Sequence, residues 1–85
     1  MKCSTLMAVR VSNRDENAVK IQETLTKHGC SINMRLGLHD HEDGSVCSPC
    51  GTLILQLCCP KEQAKLVEAD LLKIDGVRAK LIDLD

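Results

Sequence analysis

The chain has 85 residues, 12 acidic and 11 basic side chains and a formal charge of −1, so it has no basic excess to neutralise a phosphate backbone, and direct nucleic-acid binding by this chain alone is excluded. It contains no Phe, Tyr or Trp, which removes base stacking, cation cages and aromatic interface anchors. No apolar run approaches a membrane span, and Arg10 interrupts the first one too early for a signal peptide, so no membrane association and a cytoplasmic location are expected.

The length predicts a single domain over 1–85. A domain this small buries only about 60% of its unfolded surface, so help from a metal, a disulfide or a partner subunit is expected. Residues 5–11 alternate, with Met7, Val9 and Val11 on one face, and predict a strand. Ser12 or Asn13 then caps a helix with Asp15 and Glu16 in its first turn. Its buried stripe is Ala18, Ile21, Leu25 and His28, and Gly29 ends it.

Residues 30–39 alternate strictly. Cys30, Ile32, Met34, Leu36 and Leu38 form an apolar, core-directed face, and Ser31, Asn33, Arg35, Gly37 and His39 form the other. A third strand over 52–58 turns Leu53, Leu55 and Leu57 inward. Pro60 opens a helix that runs to about Ile74 and buries Ala64, Val67, Leu71 and Ile74. Asp75-Gly76 turns the chain into a last strand over 77–82.

The predicted order is β-α-β-β-α-β. This is an α+β, ferredoxin-like arrangement: a four-stranded antiparallel sheet with both helices on one face. The uncovered face is expected to carry Arg10, Asn33, Arg35, Gln56 and Arg78 or Lys80 among Leu6, Ile54 and Ile82. A half-apolar open face on so small a domain predicts a partner chain.

The chemistry is concentrated in the hairpin at 39–50. On a strand, His39 and His41 share a face and grip one ion from one side, and Cys47 and Cys50 lie across the turn. Four such N and S ligands suit a transition metal, nickel, zinc or iron, and thiolate ligation weakens as pH falls. Two rival readings stand beside this one: a plain polar loop, and a Cys47–Cys50 redox pair. The redox pair is the weaker, because the C-x-x-C motif precedes a strand and not a helix N-terminus. His28 reads either as a cation at a helix C-terminus or as a ligand donated to a neighbouring subunit. Cys30 reads as a buried hydrophobe, Cys59 as inward, Cys58 as facing the uncovered side and Cys3 as inert; no cysteine is expected in a disulfide. No Ser-His-Asp or Cys-His-carboxylate spacing argues for an enzyme.

Two stretches carry a resemblance: His28-Gly-Cys-Ser-Ile-Asn-Met-Arg-Leu-Gly-Leu-His39, and Cys50-Gly-Thr-Leu-Ile-Leu-Gln-Leu57. The chain resembles the C-terminal metal-binding domain of the nickel-responsive regulators and the stand-alone ACT-like regulators of the iron-only hydrogenase system. The nickel regulators use H-x-H followed by Cys, with a further histidine from a neighbouring subunit. Literal spacing places this set on His39, His41 and Cys47. Strand-to-strand matching places it on Gly37, His39 and Cys50, with His28 near the donated position. Both alignments share only His39. The chain lacks the ribbon-helix-helix segment, and its hairpin is longer.

The resemblance implies a cytoplasmic regulatory domain that forms a homo-oligomer, a dimer or tetramer, and acts with a partner regulatory protein. Its effector would be a transition metal held by His39, His41, Cys47 and Cys50, with His28 from another subunit. The alternative is an ACT-like small-molecule or oligomerisation module, with its ligand near Arg35 and Gly37 and the loop as a lid.

Overall fold

A computed structural model of the chain describes residues 3–42 and 46–84, of which 39–42 and 46–49 are described by their backbone alone. The elements are β1 (Thr5–Val11), α1 (Arg14–Lys27), a single 3-10 turn (Gly29–Ser31), β2 (Ile32–Glu42), β3 (Val46–Leu57), α2 (Lys61–Leu72) and β4 (Val77–Asp83). The strands form one antiparallel sheet in the order β2-β3-β1-β4. The architecture is α+β, with a four-stranded sheet and two helices. No helix among the described residues is long and apolar enough to cross a membrane.

Alternation builds one continuous core. Met7, Val9 and Val11 of β1 line up with Leu55, Leu53 and Gly51 of β3 and with Leu81, Ala79 and Val77 of β4. That face is covered by Ile21 and Leu25 of α1 and by Ala64, Val67 and Leu71 of α2, so both helices lie on the same side of the sheet. Met7, Val9, Leu55, Leu57, Val67 and Leu71 are completely buried.

Three sequence expectations are corrected. Ala18 is exposed, and Asn17 takes the inward place. The Asn17 amide donates to the carbonyls of Ser12 (2.8 Å) and Asp75 (2.9 Å), tying the turn after β1 to the turn before β4. Periodicity reads polar Asn as outward, but two orphan carbonyls behind the helix hold it in. Gly76 sits in that second turn at φ +85°, a conformation that suits glycine. The second correction is a disulfide: Cys3 is joined to Cys58. In the chain-entropy view, a crosslink across a separation of 55 residues stabilises the fold by about 4 kcal/mol.

The third correction concerns β2. Ile32 pairs with Leu57, but Met34 pairs with Gln56, so β2 holds one extra residue, Asn33. This bulge reverses which side residues 34–38 of β2 face. Arg35 and Gly37 stand opposite Leu55 and Leu53, on the helix side. Met34, Leu36 and Leu38 stand opposite Gln56, Ile54 and Thr52, on the open side, where they are 42–54% exposed. Cys30 falls in the 3-10 turn before the strand and is exposed, not buried. Asn33 holds the bulge by donating to Gln56 Oε1 (2.7 Å), while Gln56 donates to the Cys3 carbonyl (3.0 Å).

The pairing sets out the open face as three cross-strand rows. Leu38, Thr52, Arg10 and Arg78 form the first. Leu36, Ile54, Ala8 and Lys80 form the second. Met34, Gln56, Leu6 and Ile82 form the third.

Leu55→Ala is expected to cost about 2–5 kcal/mol in urea unfolding, and Asn17→Ala about 1–3 kcal/mol through its two abandoned carbonyls. Leu36→Ala should stay within about 0.5 kcal/mol of the parent protein under conditions that keep it monomeric. A Leu36→Ala loss as large as that of Leu55→Ala would place the apolar face of β2 back in the core.

Candidate functional site

The helices cover β3, β1 and β4, leaving the edge strand β2 without a helix above it. Two glycines deepen this gap. Gly37 places no side chain beside Leu53, and Gly51 lies beneath the aliphatic stem of Arg14. A Cβ at Gly51 would come within 3.1 Å of the Leu38 carbonyl oxygen and 3.3 Å of Arg14 Cδ. The result is a cleft of about 580 Å³ between α1 and β2. Val11, Ile21 and Leu53 form its apolar part; Arg14, Arg35, Gln22 and Glu23 supply its polar groups.

Arg14 is the first residue of α1, where the helix dipole already presents positive charge. A cation there is electrostatically unfavourable, and Asp15 and Glu16 in the same turn offset part of it. Arg14 and Arg35 line the cleft together with Glu23, two cations and one carboxylate. The bulge at Asn33 is what brings Arg35 and Gly37 to this side. The sequence reading names both residues but expects Arg35 on the uncovered sheet face. It passes over Arg14, Gln22, Glu23 and Gly51; a basic residue opening a helix was the available signal for Arg14.

His28 lies elsewhere. It caps the C-terminus of α1 and is buried. Gln63 Nε2 donates to its Nδ1 (3.2 Å), and its Nε2 donates to Asp70 Oδ2 (2.7 Å). Both ring nitrogens are engaged in joining α1 to α2. Lys27 (3.2 Å) and Lys73 (3.3 Å) flank the same carboxylate. The His28 hydrogen bond, followed by those of the two lysines, holds the Asp70 carboxyl well below the usual carboxylate range.

The hairpin ligands stand at the opposite end of the sheet. Seven residues of strand separate Ile32 from His39, about 23 Å, so this arrangement does not bring His28 and the hairpin together within one chain. β1 pairs with β3 only over 51–57, so residues 40–42 of β2 and 46–50 of β3 extend as a two-stranded ribbon beyond the part paired with β1. His39 is in register with Gly51, and His41 with Cys47. Between these pairs, residues 48–50 of β3 oppose residue 40 alone, an irregularity that accommodates Pro49. The side chains of His39, His41 and Cys47 lie outside the described residues; Cys50 is half-buried. Among the described residues, no group of three or more His, Cys, Asp or Glu side chains is placed to hold a metal ion.

No protein-family model matches the chain. No curated protein matches it significantly. Among solved structures it is similar to the uncharacterized protein TM1266 from Thermotoga maritima, with a TM-score of 0.81, 21% identity and 95% of each chain covered. At that identity the likeness concerns the fold alone.

His28→Ala should lower stability by about 1–3 kcal/mol, because it removes a buried ring and both of the hydrogen bonds that join α1 to Gln63 and Asp70 of α2. The Asp70 carboxyl titrates lower in the folded chain than in the unfolded one, so its stabilisation is complete above the unfolded value near 4 and is lost as pH falls further. The melting-temperature gap between the parent protein and Asp70→Asn should therefore close as pH falls below about 4. A gap that stayed fully open far below that value would remove the Asp70 carboxylate as its source.

Proposed function

We propose that this chain is a ferredoxin-like, ACT-like regulatory domain that binds a small anionic effector in the cleft between α1 and β2. The observation that carries this reading is the cleft itself: apolar walls, two arginines, and two glycines that keep it open. Such pockets bind a small molecule through an apolar body and a few placed polar groups. The regulatory role rests on the resemblance to the hydrogenase-system and nickel-responsive regulators.

A second reading is supported by the ribbon. The His41–Cys47 register and the irregular stretch at 48–50 bring the backbone of the expected ligands close together. In that reading the effector is a transition metal, nickel, zinc or iron, held by His39, His41 and Cys47 or Cys50, and a histidine from a second subunit completes the site.

Thermal-shift and calorimetric titration against a panel of carboxylates, phosphates and nucleotides tests the first reading. A ligand that stabilises the parent protein should bind Arg35→Ala about 10–100-fold more weakly, the value of one lost charge-assisted hydrogen bond. It should also fail to bind Gly37→Val, whose side chain enters the cleft. If no anion shifts the melting temperature, the cleft reading falls. Elemental analysis of anaerobically purified protein tests the second reading. Near-stoichiometric metal in the parent protein, lost in His39→Ala, supports it; metal-free protein that ignores added Ni²⁺, Zn²⁺ and Fe²⁺ overturns it.

A further inference from the structure

β2 begins in one phase with β3 and continues in another. At its start the Cys58 amide donates to the Ser31 carbonyl (2.8 Å), and Ile32 pairs with Leu57. Carried forward by regular alternation, that phase sets Asn33 opposite Gln56, Met34 opposite Leu55, Leu36 opposite Leu53 and Leu38 opposite Gly51. The observed strand instead pairs Met34 with Gln56, Leu36 with Ile54 and Leu38 with Thr52, one residue later. It keeps this offset as far as His39 and Gly51, where a second irregularity follows. Between the pairs His39–Gly51 and His41–Cys47, three residues of β3 oppose one of β2. Residues 34–39 are therefore a stretch displaced by one residue and bounded by an irregularity at each end.

We propose that residues 33–39 exchange between this register and the bulge-free one, sliding by one residue along β3 and closing the cleft with their own leucines. The pairs on either side, Ile32–Leu57 and His41–Cys47, stay as they are. The slide removes the bulge, and it leaves two residues of β3 opposite residue 40 in place of three. Asn33 stays beside Gln56, so the hydrogen bond between their side chains (2.7 Å) is kept. Each register has something the other lacks. In the observed one Met34, Leu36 and Leu38 are each about half exposed on the open face. One step along a strand inverts its faces, so the slide turns all three toward the helices. Leu36 and Leu38 then enter the cleft opposite Leu53 and Gly51, and the added burial favours the slid register. Opposing it is the stem of Arg14, which lies over Gly51 where Leu38 would come; a Cβ at Gly51 is 3.3 Å from Arg14 Cδ. Two packings so nearly matched leave the minor one at about 0.1–10% of molecules. The slid strand also carries Arg35 out of the cleft to the open face, opposite Ile54. A ligand that needs the open cleft binds the observed register alone and draws β2 into it. That gating rests on the effector reading; the two registers do not.

NMR relaxation dispersion and saturation transfer on the ligand-free protein decide the question, because they detect minor states in slow exchange. The amides of residues 33–39 and of their partners 51–56 should exchange together, with one rate and one population, at any protein concentration. Leu36→Asp should abolish the exchange, since a carboxylate resists being turned under the helices. Its circular dichroism should be unchanged, because Leu36 is half in solvent in the observed register. Deletion of Asn33 removes the surplus residue while keeping Met34, Leu36 and Leu38 outward, and it should also abolish the exchange. Arg14→Ala vacates the space above Gly51 and should raise the minor population severalfold. A parent protein with a single state over residues 33–39 overturns the proposal. So does exchange that survives either Leu36→Asp or the deletion, or that grows with protein concentration. Titration of the parent protein with the same carboxylates and phosphates reports on the effector reading separately: exchange without anion binding removes the effector alone, and anion binding without exchange removes the slide alone.

Discussion

One inserted residue, Asn33, decides which way the longest edge of this sheet faces. Ile32 is held inward over Leu57 by the core, and the following strand pairs with β3 one step out of phase. The side chain of Asn33 is fastened to Gln56, which is fastened to the backbone of Cys3, which is joined covalently to Cys58 at the end of β3. The Cys58 amide in turn donates to the Ser31 carbonyl (2.8 Å), just before the bulge. The bulge is thus enclosed by contacts that run through β3 to the segment before β1. Because strand side chains alternate with a period of two, this single residue moves Arg35 and Gly37 to the helix side and Met34, Leu36 and Leu38 to the open side.

The character of both faces of the sheet follows from that inversion. Without it, three large apolar residues would fill the space between α1 and β2, and there would be no cleft. The open face would then be studded with Arg35 beside Arg10 and Arg78, too charged to bury. With it, the helix side gains a hollow lined by arginines, and the open side gains an apolar band with its cations toward one end.

The titratable and sulfur chemistry sorts into three places. His28, Asp70 and Gln63 brace one helix against the other, and the two lysines around Asp70 strengthen that brace. Cys3 and Cys58 anchor the start of β1 to the end of β3. The ribbon formed by residues 40–42 and 46–50 lies beyond the part of the sheet that carries the core. The histidine at the helix end and the histidines of the hairpin therefore occupy opposite ends of one chain, and a shared site requires two chains.

Most of the framework was legible in the sequence, and the reasons are local. The inward residues of β1, β3 and α2 are strongly periodic and apolar, and each burial expected there is seen. Gly76 marks its turn, and Pro60 marks the start of α2. Asn17, the disulfide and the bulge were not legible, because each is decided by a partner 23 to 58 residues away in the chain, Asp75, Cys58 and Gln56, and local pattern carries no information about pairing register. Strict alternation from Cys30 to His39 is a sound signal for a strand, and it is blind to one extra residue. The sequence by itself determined the elements, their order and the identity of the apolar faces. Only the tertiary structure decided which face of β2 meets the helices, because that depends on cross-strand hydrogen bonds closed over long loops.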